Sequence, residues 1–221
     1  MPRVGVCLSG CGVYDGSEIH EAVLTLLALD RAGAEYLCCA PNVEQPVVVN
    51  HLDRSAMREK RNVLVESARI ARGNVRDLAT VKASEIDALI FPGGFGAARN
   101  LCTFADDGPD CQVNPEVGRL VSEMLAAGKP VAAVCIAPAM LARILGQRGV
   151  QAQLTIGTDA ATAAAIEKMG ATHRSCPCSS FVVDRDHKIV TTPAYMLGKG
   201  PAEVYEGISG LVGEVLRLIP Q

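Results

Sequence analysis

Short apolar runs alternate along the chain with longer stretches whose apolar residues recur at helical spacing. RVGVCL (3–8), AEYLCCA (34–40), IDALIFPGG (86–94) and PVAAVC (130–135) read as strands, several of them apolar at nearly every position. SEIHEAVLTLLALDRAG (17–33) carries the helical repeat, with Ser17 as its expected N-cap and Gly33 as its stop. NPEVGRLVSEMLAAGK (114–129) is a second amphipathic helix, capped by Asn114 with Pro115 at its first position. IAPAMLARILG, Asp159 to Met169 and 202–219 are further helices, and FGAARNLCTFA opens a short one. LTIG (154–157), SFVVD (180–184) and KIVTTP (188–193) are further strands, with DRDH (184–187) as a hairpin turn. Between them, VVV (47–49) predicts a short edge strand, and 54–72 one or two surface helices.

Strands that are apolar throughout must be covered on both faces. The alternation therefore predicts an α/β fold, a mostly parallel sheet with helices on both faces. No repeat or linker divides the 221 residues, so a single domain over 1–221 is expected. In such sheets ligands bind beyond the carboxyl ends of the strands. Three segments meet there: the turn at 9–18, the Pro-Gly-Gly loop at 92–97, and the join between strand and helix at Cys135.

Composition narrows the choice of function. Lys and Arg total 21 against 24 Asp and Glu, a formal charge of −3, and Trp is absent. No basic run or aromatic cluster suggests a nucleic-acid partner. The apolar runs stop short of the roughly 18 residues that span a bilayer, so no membrane association is expected. MPRVGVCLSG has neither the look of a secretory signal nor that of a transit peptide, and a cytoplasmic protein is expected. Nine cysteines, an odd number, suggest free thiols in a reducing compartment. Cys38 and Cys39 are adjacent in a strand and must point to opposite faces.

Cys135 stands apart. A sharp strand-to-helix turn between the small residues Ala133 and Ala137 would form a nucleophile elbow. The N-terminus of the next helix favours the thiolate, with the N–H of Ile136 as an oxyanion donor. The alternative is one more buried small thiol. Glu18 enters at the same edge from the first helix, either as a capping carboxylate or as an acid–base partner of the thiol. The glycines of PGGFG present N–H groups to an anion, Gly94 being the better second donor beside Gly93. Of the histidines, His20 and His51 are the two candidates for the site, and His187 belongs to the hairpin turn. GCGVYDG has its glycines at the wrong interval for a dinucleotide fingerprint. HRSCPC (173–178) holds three metal-ligating side chains without a second cluster, so no metal and no other cofactor is expected.

Taken in order, GSEIHEA (16–22), NHL (50–52), RNVL (61–64), PGGFGAARNL (92–101), CIAPAML (135–141), LTIGTD (154–159) and KIVTTPAYML (188–197) resemble the PfpI-type branch of the class I glutamine amidotransferase-like superfamily. Within it the chain is very similar to the ElbB-type proteins, described as glyoxalases and linked by name to isoprenoid biosynthesis. The resemblance implies a flavodoxin-like three-layer sandwich, a homodimer, Cys135 as nucleophile and Glu18 as its partner. It also implies conversion of a small dicarbonyl such as glyoxal to a hydroxy acid, without glutathione or metal. A redox sensor or regulatory binding protein is the alternative. The chain departs from many relatives in having Ile136, not His, after the cysteine and no His in TTPAY, which weakens a Cys-His-acid triad and hence amide hydrolysis.

Overall fold

The computed structural model describes residues 1–220. Its strands are β1 (Arg3–Cys7), β2 (Glu35–Ala40), β3 (Val75–Asp77), β4 (Ala88–Phe91), β5 (Val131–Val134), β6 (Gln153–Leu154), β7 (Thr172–His173), β8 (Val182–Asp184) and β9 (Ile189–Thr192). Its helices are α1 (Ile19–Arg31), α2 (Val63–Ile70), α3 (Phe95–Arg99), α4 (Phe104–Asp107), α5 (Pro115–Ala126), α6 (Ala137–Gln147), α7 (Ala160–Lys168) and α8 (Pro201–Leu218). Seven strands form one sheet in the order β3-β2-β1-β4-β5-β9-β8, parallel except for β8 against β9. β6 and β7 make a separate two-stranded ribbon.

The alternation of side chains across the pleat divides the core in two. Cys7, Cys39, Leu89, Phe91, Val131 and Ala133 face the layer of α5 and α6. Val4, Val6, Cys38, Ile90, Ala132 and Val134 face the layer of α1 and α8. Cys38 and Cys39 do point to opposite faces, and the flavodoxin-like sandwich is the observed fold. The expected free thiols are present: none of the nine cysteines is joined to another.

The differences from the expected elements are local. VVV is not a strand; Val49 makes only an isolated bridge to Ala56. Residues 54–62 are irregular, and α2 alone forms in 54–72. The edge strand is instead β3, whose three half-polar residues VRD carry no hydrophobic pattern. The first helix is capped by Glu18, one residue beyond the expected Ser17. Glu18 accepts from the Glu21 N–H, while the Ser17 hydroxyl accepts from Ser9 N–H at 2.8 Å.

Strands run outward in both directions from β1, with β2 and β3 on one side and β4, β5 and β9 on the other. The switch point between β1 and β4 opens a crevice at the carboxyl ends, where loops diverge to opposite faces. α1 and the loop after β4 flank that crevice, and the end of β5 lies beside it.

Candidate active site

Cys135 occupies the bend between β5 and α6 at φ +62°, a left-handed conformation that an L-residue adopts at a cost. Its N–H donates to Thr192 O at 2.9 Å, which ties the bend to β9. The turn lifts the side chain into a cavity of about 460 Å³, bounded by Phe95, Phe104, Ile136, Tyr195 and Met196. Cys135 as a residue is 7% exposed, so it is nearly buried yet lines that cavity. The N–H groups of Gly94 and Ile136 both point at it.

The carboxyl set beside the sulfur belongs to Glu21: Cys135 Cβ and Glu21 Oε2 both crowd the same side of Gly93. Glu21 is fully buried, with Oε2 accepting from Gly93 N–H at 3.0 Å and Oε1 from Tyr195 N–H at 3.1 Å. Glu18, the expected partner, caps α1 by accepting from Glu21 N–H at 2.7 Å and contributes to the cavity wall. The two glutamates are one helical turn apart, but only Glu21 lies on the inward face with Thr25, Ala28 and Leu29. Sequence spacing did not single out Glu21; a carboxylate on the apolar face of an amphipathic helix is the signal that would have found it.

The two glycines after Pro92 serve different purposes. Gly93 gives its N–H to Glu21 rather than to an oxyanion, and a methyl there would sit 2.6 Å from Glu21 Oε2 and 2.8 Å from Val134 O, closer still to Cys135 Cβ. Gly94 is at φ +95°, packs against the Gly16–Glu18 backbone, and points its N–H at the sulfur. Of the expected donors, Gly94 and Ile136 have their N–H groups beside the sulfur, and Gly93 has its N–H on Glu21. Gly93→Ala is expected to wedge the glutamate off the sulfur. Near-native circular dichroism with a loss of at least ~100-fold in turnover would show it, since misplacing a catalytic group by about 1 Å costs that much.

The electrostatics reverse one expectation. Burial and the neighbouring Glu21 charge push the Cys135 thiol well above its usual range, outweighing the Gly94 and Ile136 N–H groups that pull it down. Burial likewise raises Glu21, to about 8, against the lowering influence of the Tyr195 and Gly93 N–H groups. A thiolate already formed at neutral pH is thus not what the site favours. The helix-terminus effect is present, but desolvation of a sulfur in this apolar niche is larger. The first ionisation belongs to the carboxyl, which can then take the thiol proton as the sulfur attacks.

The two histidines lie outside the cavity lining. His20 is exposed and reaches the site only through Tyr195, Nδ1 to the phenol oxygen at 2.8 Å. His51 Nε2 accepts from Tyr14 N–H at 3.2 Å and lies 3.8 Å from Asp15 Oδ1, behind the strand-one loop. His187 is bonded to Asp184 in the β8–β9 turn. In HRSCPC the His173 Nε2 accepts from Ile156 N–H, and no group of three or more metal-ligating side chains occurs among the described residues. No helix among them is long and apolar enough to cross a membrane. Tyr195, Phe95 and Phe104 are cavity residues that sequence spacing did not reveal, because they come from three separate segments.

The sequence profile of the DJ-1/PfpI family matches residues 12–194. Human glutamine amidotransferase-like class 1 domain-containing protein 3, mitochondrial, is 48% identical over 226 residues, covering 98% of this chain and 83% of that protein. An isoprenoid biosynthesis protein with an amidotransferase-like domain from Ehrlichia chaffeensis has the same fold at TM-score 0.93 and 39% identity, over all of both chains. Drosophila melanogaster DJ-1beta shares the fold alone, at TM-score 0.54 and 19% identity over 98% of this chain and 95% of that one. An elbow cysteine facing a buried helical carboxyl, together with a profile match over most of the length, establishes that this chain belongs to the DJ-1/PfpI family.

Proposed function

We propose that this protein is a glutathione-independent glyoxalase of the ElbB type, converting glyoxal or a related small dicarbonyl to a hydroxy acid. The observation that carries the reading is an elbow sulfur with one buried carboxyl beside it and two N–H donors around it, open to a cavity. The family is one in which glyoxalase and redox-sensing roles are both found.

The chemistry needs one proton shuttle. Ionised Glu21 takes the thiol proton as Cys135 Sγ bonds to an aldehyde carbon, and the new alkoxide lies against the Gly94 and Ile136 N–H groups. Glu21 returns that proton to the alkoxide, giving a hemithioacetal. It then removes the C–H proton of the same carbon and delivers it to the neighbouring carbon through an enediol. The product is a thioester of glycolate, and water cleaves it to glycolate while the thiol regains its proton. The sum is glyoxal plus water to glycolate, with no external oxidant or reductant.

The test is incubation of purified protein with glyoxal and chelator, without glutathione, in D₂O. Glycolate carrying deuterium at its methylene carbon is expected from a shuttle that exchanges with solvent. No glycolate above the buffer rate would defeat the proposal. The Cys135–Glu21 contact also suits a sensor, because a protonated carboxyl would hold a sulfinate. Selective oxidation of Cys135 by dilute peroxide, with negligible turnover, would favour that reading instead.

A further inference from the structure

Beside the active-site cavity lies a smaller cleft of about 160 Å³, lined by Tyr14, Val49, Arg54, Phe95 and Arg99. Phe95 belongs to the walls of both, and the consecutive residues Val13 and Tyr14 face the cavity and the cleft respectively. Phe95 N–H donates to Val13 O at 2.8 Å, so this partition is a built feature of the fold.

The two guanidinium groups there have no counter-charge. Arg61, Arg69, Arg76 and Arg119 are all paired with glutamates. Neither Arg54 nor Arg99 is in an ion pair among the described residues. Each guanidinium is instead placed over an aromatic ring: Arg54 Cζ lies 5.0 Å from the Tyr14 centroid and Arg99 Cζ 5.5 Å from that of Phe95. A guanidinium held by its face keeps its N–H edges available to an oxyanion. Arg99 Nε is sealed from solvent without a hydrogen-bond partner, and a partly desolvated charge attracts an anion more strongly than a hydrated one. Arg54 is held at φ +64° by a turn closed through its N–H to Asn50 O at 2.8 Å. Of the acidic residues adjoining Tyr14 and Arg54 in sequence, Asp15 accepts from Val49 N–H through Oδ2, with Oδ1 buried 3.8 Å from His51 and without a hydrogen bond, and Asp53 bonds Ser55.

We infer that the Arg54–Arg99 cleft binds the oxyanion of an anionic arm, phosphate or carboxylate, carried by a carbonyl substrate whose reacting carbon lies at Cys135. The inference rests on the glyoxalase reading for the carbonyl end alone. A two-carbon dialdehyde fills only a fraction of a cavity of about 460 Å³, and Phe95, common to both walls, is all the lining that the cavity shares with the arginine cleft.

The experiment has two arms. In the first, titration calorimetry follows inorganic phosphate and acetate binding to the wild-type protein, Arg54→Ala and Arg99→Lys. Saturable phosphate or acetate binding that weakens at least tenfold in Arg54→Ala, a change of about 1.4 kcal/mol, is expected. Absence of binding, or equal binding in all three proteins, overturns the site. The milder Arg99→Lys keeps charge and packing but loses the fork, so it tests the half-buried position without relying on a truncation that could unfold α3. In the second arm, glyceraldehyde 3-phosphate and glyceraldehyde compete with glyoxal. The phosphorylated aldehyde is expected to inhibit at least tenfold better in the wild type, with the ratio falling toward one in Arg54→Ala. Arginine-dependent phosphate binding with no such advantage would mean a free-anion site and would overturn the substrate-arm assignment. If glyoxal is not turned over at all but the first arm holds, the glyoxalase reading fails and the anion site stands.

Discussion

Glyoxal turnover is expected to vanish in Cys135→Ala and to fall at least ~100-fold in Glu21→Gln, while Glu18→Gln loses less than about tenfold. Cys135 forms the covalent bond, so nothing replaces it. Glu21 is the buried carboxyl beside the sulfur, and a positioned acid–base group contributes about 10²–10⁴ in rate. Glu18 is spent on the Glu21 N–H and acts on the chemistry only through its charge. Steady-state assays on variants with native circular dichroism decide the matter. Equal losses in Glu18→Gln and Glu21→Gln would contradict the assignment, and so would a folded Glu21→Gln with wild-type turnover. Glu21→Gln is not silent for folding, because its amide nitrogen only donates and so one of the Gly93 and Tyr195 N–H groups loses its acceptor. One buried donor left unsatisfied costs about 1–3 kcal/mol at every pH.

A second large effect is expected in pH dependence, with opposite signs for activity and stability. The active form is the one in which Glu21 has lost its proton, so kcat/KM rises with pH on a limb near the value of about 8 set by burial. Cys135 is pushed well above 9 and does not compete in that range. The Glu18 charge raises Glu21, so Glu18→Gln moves the limb to lower pH. For folding, Glu21 has its ordinary value of about 4.5 when unfolded and about 8 when folded. Between these values the folded state binds more protons than the unfolded one. Stability is therefore fully present below about 4.5 and declines as pH rises to about 8, by up to about 1.4 kcal/mol per pH unit. Chemical denaturation across that window should show the decline in the wild type and a flatter line in Glu21→Gln. Parallel lines would mean that Glu21 titrates normally, and the buried-acid account would fail.

Much of this architecture is legible in local pattern. The runs 3–8, 34–40, 86–94 and 130–135 became β1, β2, β4 and β5 because a strand buried on both faces needs unbroken apolar residues. Asn114 with Pro115 marked the start of α5, since cap and first-turn preferences act within a few residues. Cys135 stood out as the thiol at an elbow for the same reason. The local signal fails where residues meet only through folding. β3 has three half-polar residues and is held by pairing with β2, so nothing in VRD announces it. Glu18 looked like the partner because it adjoins the turn, but as the extended N-cap it folds back onto the Glu21 N–H, and Glu21, the residue inside the helix, is the one buried against the site.

By itself the chain determined the sandwich, the elbow cysteine and the glycine loop, since these follow from burial periodicity and backbone sterics within short segments. Three things waited for the tertiary structure: which glutamate touches the sulfur, which group ionises first, and the pairing of Arg54 with Arg99 across one cleft. Each depends on distance and desolvation between residues far apart in the chain, and those quantities exist only once the sheet and its two helical layers have closed.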